Sequence, residues 1–126
     1  MFLRKVLSAA FLILIGLAGV YAADITGKWT AQFDTQVGLQ KYTYELKAEG
    51  ATLTGQAIAD IAGEKSQSAL QDGKINGDEI SFIEMQQYQG QEVKIVYKGK
   101  VSGDEIKFSR TVADQFNEEF VAKRAR

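Results

Sequence analysis

The sequence predicts an all-β fold: an eight-stranded antiparallel up-and-down barrel in which each strand pairs with its neighbour along the chain. Three observations carry this. From Ile25 onward apolar and polar residues alternate with period two, and no helical period persists. Turn-formers punctuate the alternation at short intervals, as at Glu49-Gly50, Asn76-Gly77 and Ser102-Gly103. Proline is absent, which suits long ladders in which every residue donates its N–H. A meander of eight strands has two unpaired edges unless the sheet closes, and closure removes both. A β-sandwich of the same strands is the alternative.

The strands follow in order. Ile25 to Asp34 puts Trp29, Ala31 and Phe33 on one face. Gln40 to Glu49 puts Tyr42, Tyr44, Leu46 and Ala48 on one face, with Lys41, Thr43, Glu45 and Lys47 opposite. Each reads as half-buried, one side to a core and one to water. Thr52 to Ala59 carries Leu53, Gly55 and Ala57 in phase, and Ile61 to Lys65 reads as a looser connection. Ser66 to Ile75 is a fourth strand with a bulge at Asp72-Gly73. Glu79 to Tyr88 is a fifth, with Ile80 and Phe82 in phase and an expected slip near Glu84, since Ile83 and Met85 fall on the other face. Val93 to Val101, Glu105 to Val112 and Phe116 to Arg124 complete the set. One hairpin unit is repeated: Asp72-Gly-Lys-Ile-Asn-Gly-Asp-Glu-Ile-Ser-Phe82 matches Lys98-Gly-Lys-Val-Ser-Gly-Asp-Glu-Ile-Lys-Phe108.

The N-terminal stretch is excluded from the fold. Arg4 and Lys5 precede an apolar run from Val6 to Val20, and Val20-Tyr21-Ala22 offers a small-residue cut site. This is the layout of a secretory signal peptide over 1–22, leaving one domain over 23–126 and an exported protein, periplasmic or secreted. The rival reading is a retained membrane anchor, but the run is shorter than the roughly 20 residues a spanning helix needs, and no second apolar segment is long enough, so no membrane span is expected after cleavage.

Composition narrows the function. The chain has 15 basic and 16 acidic residues with both signs scattered, unlike the basic footprint of a nucleic-acid binder. It has no histidine and no cysteine, which removes the commonest general base, the commonest metal ligand and any disulfide. Neither a cofactor nor a bound metal is expected, and the serines lack a histidine or cysteine partner for nucleophilic chemistry. Asp78-Glu79 and Asp104-Glu105 are adjacent pairs at hairpin exits, so their side chains diverge rather than face each other across a substrate. They read as turn chemistry.

Ile25-Thr26-Gly27-Lys28-Trp29 opens the first strand. A Gly-x-Trp at that place resembles the start of calycin barrels, the lipocalin, fatty-acid-binding and avidin-type group. The resemblance implies that a basic side chain from the last strand covers the tryptophan at the closed end, with Arg124 the best match and Arg110 second. Residues 23–126 also look like a group of small exported bacterial proteins. They share the Thr-Gly-Lys-Trp opening, the Leu-Thr-Gly turn at Leu53 to Gly55, the Gly-Lys-Val-x-Gly-Asp-x-Ile pattern and the terminal Phe-x-Ala-Lys-Arg. That likeness brings no activity with it.

What remains points to binding rather than chemistry. Trp29, Phe33, Tyr42, Tyr44, Phe82, Tyr97 and Phe108 all fall on the apolar phase of their strands. They are the candidate lining for a small apolar or amphipathic ligand, although an eight-stranded barrel can equally be plugged by such side chains. The three tyrosines would supply orienting polar groups. Trp29 and Arg124 form the expected barrel-end seal. A second reading is a protein-binding module, such as an inhibitor of an exported hydrolase, working through the Gln36–Gln40 and Gln86–Gly90 loops.

Overall fold

The computed structural model describes residues 25–125. The expected signal peptide over 1–22 lies outside the described residues. Among those described, nine strands form: β1 Gly27–Thr35, β2 Gly38–Glu49, β3 Thr52–Ile61, β4 Glu64–Ala69, β5 Gln71–Asn76, β6 Glu79–Tyr88, β7 Gln91–Ser102, β8 Glu105–Val112 and β9 Phe116–Arg124. All pairings are antiparallel, and β9 returns to β1 through Trp29↔Arg124 and Thr30↔Lys123. The sheet is therefore a closed meander.

Nine strands make eight staves. β4 pairs with the second half of β3, from Gln56↔Ala69 to Ile61↔Glu64, and β5 meets β3 at Thr52↔Lys74. Together they are the single fourth stave expected from Ser66 to Ile75, broken near Leu70. The expected bulge is there: register shifts between Gln71 and Lys74, and Asp72 has φ of 52°. Gly73 explains why the break is tolerated. A Cβ on it would fall on the Leu53 carbonyl, so only glycine lets the two backbones approach. No ladder joins β4 to β6. Instead the Gln87 amide donates to Ser66 Oγ at 3.1 Å and the Gln89 amide to Glu64 Oε2 at 2.8 Å.

Two expectations are corrected. Ile61 to Lys65 is a tight hairpin, not a loose connection: β3 ends at Ile61 and β4 starts at Glu64, with Ala62 at φ 52° and Gly63 at φ 96°. The Gly63 amide donates to Asp60 Oδ1 at 3.0 Å, which fixes the turn. The phase slip at Glu84 does not occur. Ile80, Phe82, Glu84 and Gln86 are all buried on one face of β6, while Ile83 and Met85 are half-buried on the outside. The parity of the strand outweighs the polarity of the residue, because a closed sheet fixes every second side chain inward.

The turns β1–β2, β3–β4, β6–β7 and β8–β9 gather at one end of the barrel, and β2–β3, β5–β6 and β7–β8 at the other. The second end is sealed. Arg124 Cζ lies 4.3 Å from the centroid of the Trp29 indole. Its Nε donates to Asp104 Oδ1 at 3.1 Å and its Nη1 to the Thr26 carbonyl at 3.2 Å. Trp29 Nε1 donates to the Ile25 carbonyl at 3.0 Å, which satisfies the buried indole. The glycine of Gly-x-Trp has a steric role, since a Cβ on Gly27 would lie 3.0 Å from Arg124 Nη1. Arg110, the second choice for this seal, is elsewhere.

Candidate functional site

Above the seal the barrel is filled by rings. Phe82 and Tyr97 stack with centroids 4.4 Å apart, and Phe108 meets them edge-on at 5.8 and 5.4 Å. Tyr44 lies 5.1 Å from Tyr42 and 5.3 Å from Phe108. Trp29, Tyr42, Tyr44, Phe82, Tyr97 and Phe108 are all buried, and Phe33 is half-buried, stacked on Phe120 at 4.1 Å. The structure thus brings the seven aromatic candidates into one interior, where six pack on one another and on Phe120 while Trp29 lies under Arg124 at the sealed end.

A polar layer crosses the barrel over these rings. Glu84 and Arg110 are each 1% exposed. Tyr42 donates to the Glu84 carboxylate at 2.9 Å and Tyr97 donates to it at 2.7 Å. Tyr44 and Tyr97 share a hydrogen bond of 2.9 Å. Because the Tyr97 proton is directed at Glu84, Tyr44 is the donor in that pair. Arg110 Nη1 donates to the Tyr97 hydroxyl at 2.8 Å, Nη2 to Gln40 Oε1 at 2.9 Å and Nε to Glu118 Oε1 at 2.8 Å. Gln40 donates onward to Thr35 Oγ1 at 3.0 Å, and Gln86 donates to the Tyr42 hydroxyl. The guanidinium carbon is also 4.7 Å from the Phe33 ring and 5.2 Å from the Tyr42 ring, which favours a desolvated cation.

Burial dominates the electrostatics. It raises the Glu84 pKa above its ordinary 4.5, against hydrogen bonds from Tyr97 and Tyr42 and the nearby Arg110 charge, which favour the ionised form. The phenols of Tyr42, Tyr44 and Tyr97 are raised by burial first and by the Glu84 charge as well. Burial pulls Arg110 down, but the facing tyrosines and Glu118 more than offset this, so it stays a cation. A charge this deep persists only when its hydrogen bonds are met, as they are here.

The open end leads down to this layer. A pocket of about 360 Å3 has Gln40, Gln86 and Arg110 at its floor, with apolar walls from Val37, Tyr88, Val93, Val112 and Phe116. Glu118 and Asn117 stand on one side. None of the seven aromatics expected to line a cavity borders this pocket. The two loops singled out as a rim do contribute, through Gln36, Val37, Gln40, Gln86 and Tyr88.

Sequence reasoning missed the polar members. Glu84 and Gln86 were legible in principle as inward positions two and four residues after Phe82, and Arg110 as the inward position between Phe108 and Val112. The signal was strand parity carried through a polar residue. No protein-family model matches the chain, and no curated protein or solved structure is significantly similar to it.

Proposed function

We propose that this is an exported, calycin-like barrel that binds a small amphipathic ligand in its mouth and performs no chemistry on it. The observation that carries the reading is the mouth pocket itself, with an apolar wall of Val37, Tyr88, Val93, Val112 and Phe116, a buried polar floor of Gln40, Gln86 and Arg110, and Asn117 and Glu118 on one side. That is the usual composition of a small-molecule site, and its volume sits just above the roughly 300 Å3 at which such pockets begin. The ligand's polar group would meet Gln40, Gln86 and Arg110, and its apolar body Val93, Val112 and Phe116. The non-enzymatic part rests on the floor: the one buried carboxylate among the described residues, Glu84, has its oxygens engaged by two tyrosines behind the glutamines. The eight-stave meander and the Gly27-Lys28-Trp29 opening under Arg124 support the calycin likeness, and the leader-like 1–22 segment supports export.

Gentle purification followed by native mass spectrometry tests the reading, together with melting in the presence of long-chain alcohols, fatty acids and small aromatics. A ligand at a hundredfold excess over its Kd is expected to stabilise the protein by about 2.7 kcal/mol. Val93→Trp, which fills the mouth, is expected to keep the fold and lose that response. No added mass and no stabilising compound would sink the proposal.

A second reading is favoured by one observation. Val37 and Phe116, each 47% exposed, flank the mouth and are two of the three exposed large hydrophobics among the described residues. They suit a rim that docks a protein, such as an exported hydrolase. Pull-down partners unaffected by Val37→Asp with Phe116→Asp would remove this reading.

A further inference from the structure

The repeated hairpin has a second consequence on the outer wall. Its two copies become β5–β6 and β7–β8, side by side in the sheet. Lys74 and Lys100 hold equivalent places in the two copies, and the second copy adds Lys98 and Lys107 where the first has Asp72 and Ser81. Pairing then assembles them: Lys74↔Ser81↔Lys98 run across one row, and Glu79↔Lys100↔Lys107 across the next. All four lysines are exposed and stand around a groove of about 550 Å3 whose floor includes Ser81 and the backbone of Gly99. Glu79 is the one carboxylate bordering it.

None of the four lysines forms an ion pair among the described residues; the ion pairs there use Lys28, Arg110 and Arg124. Lys100 and Lys107 are directly opposite each other, an arrangement that costs a free sheet stability. A nearly neutral chain thus concentrates unpaired positive charge in one concave place, at an energetic cost that a bound anion would relieve.

We propose that this groove binds anionic phosphate groups. Lysine ammonium groups bind phosphate as point charges, and the Ser81 hydroxyl and Asn76 amide at the groove add donors. A single-stranded nucleic acid fits poorly, because no aromatic side chain borders the groove for bases to stack on. The phosphate can belong to a free oligoanion or to a lipid headgroup, and the two are separable.

Calorimetry of the purified protein with inorganic tripolyphosphate tests the first source, and co-sedimentation with phosphatidylglycerol vesicles, against phosphatidylcholine vesicles, tests the second. Saturable binding to either phosphate probe is expected, and which probe binds identifies the source. Lys98→Gln with Lys100→Gln and Lys107→Gln should weaken binding by about tenfold or more, whereas Lys28→Gln with Lys41→Gln and Lys47→Gln, the same charge change on β1 and β2, should alter it little. Glu79→Gln should tighten binding. Binding of neither probe, or equal weakening by the two triple variants, would overturn the proposal.

Discussion

Glu84 and Arg110 are the two residues whose environments depart most from what their side chains prefer. With its pKa raised above 4.5, Glu84 holds its proton more firmly in the folded chain than in the unfolded one. Its contribution to stability is therefore full below about pH 4.5 and is lost as the pH rises through the folded pKa, with a slope of at most about 1.4 kcal/mol per pH unit. Glu84→Gln removes this dependence. The stability difference, wild type minus variant, is expected to fall as the pH is raised, and a flat difference across that window in urea melts would contradict the assignment. Arg110→Met leaves Glu84 and Glu118 without their cation. It is expected to cost about 1–3 kcal/mol in the same melts, because the Tyr97 hydroxyl and Gln40 Oε1 lose their donor inside the buried layer. These residues were the least legible in the sequence. A glutamate after Phe82 looks like a turn to the exterior, and only closure of the sheet, together with Tyr42 from β2 and Tyr97 from β7, makes an inward carboxylate tolerable. The aromatics were legible because parity and hydrophobicity agree at every one of them.

Strands were legible for the same reason, and their boundaries fall within a few residues of the alternation that predicts them. The fourth stave shows where that stops. Asp72-Gly73 marks the bulge locally, but the division into β4 and β5 depends on how closely Leu53 approaches from β3, and no local pattern records that distance. Gly73→Ala would place a methyl on the Leu53 carbonyl. Because the obstacle is backbone rather than a flexible side chain, the loss should exceed about 2 kcal/mol. Hydrogen exchange should show the effect concentrated in β4 and β5, and a loss spread evenly over all staves would argue against a local clash.

At the scale of the molecule, the polar layer separates the packed interior above the Trp29 seal from the mouth pocket at the open end. The mouth pocket is consequently shallow, and a ligand can extend only outward, past Val37 and Phe116. The basic groove lies on the outer wall of β5–β8, built from different residues, so the two can be altered independently. Arg124 joins seal and closure, since it stacks on Trp29 and is also its ladder partner. Arg124→Ala is expected to lower stability by about 1–2 kcal/mol, chiefly through loss of the cation–indole contact.

Closure through Trp29↔Arg124 and Thr30↔Lys123 also sets an order of events. Apart from the single β3–β5 bridge at Thr52↔Lys74, every other ladder joins segments adjacent along the chain and can form across a short loop, while this one must wait for the two ends to meet. It is therefore expected to be the last stave junction to form and the first to part. Arg124→Ala should accordingly speed unfolding and leave the refolding rate nearly unchanged, placing its whole effect on one limb of the chevron. Equal slowing of refolding would mean that the ends meet early and the hairpins assemble around them.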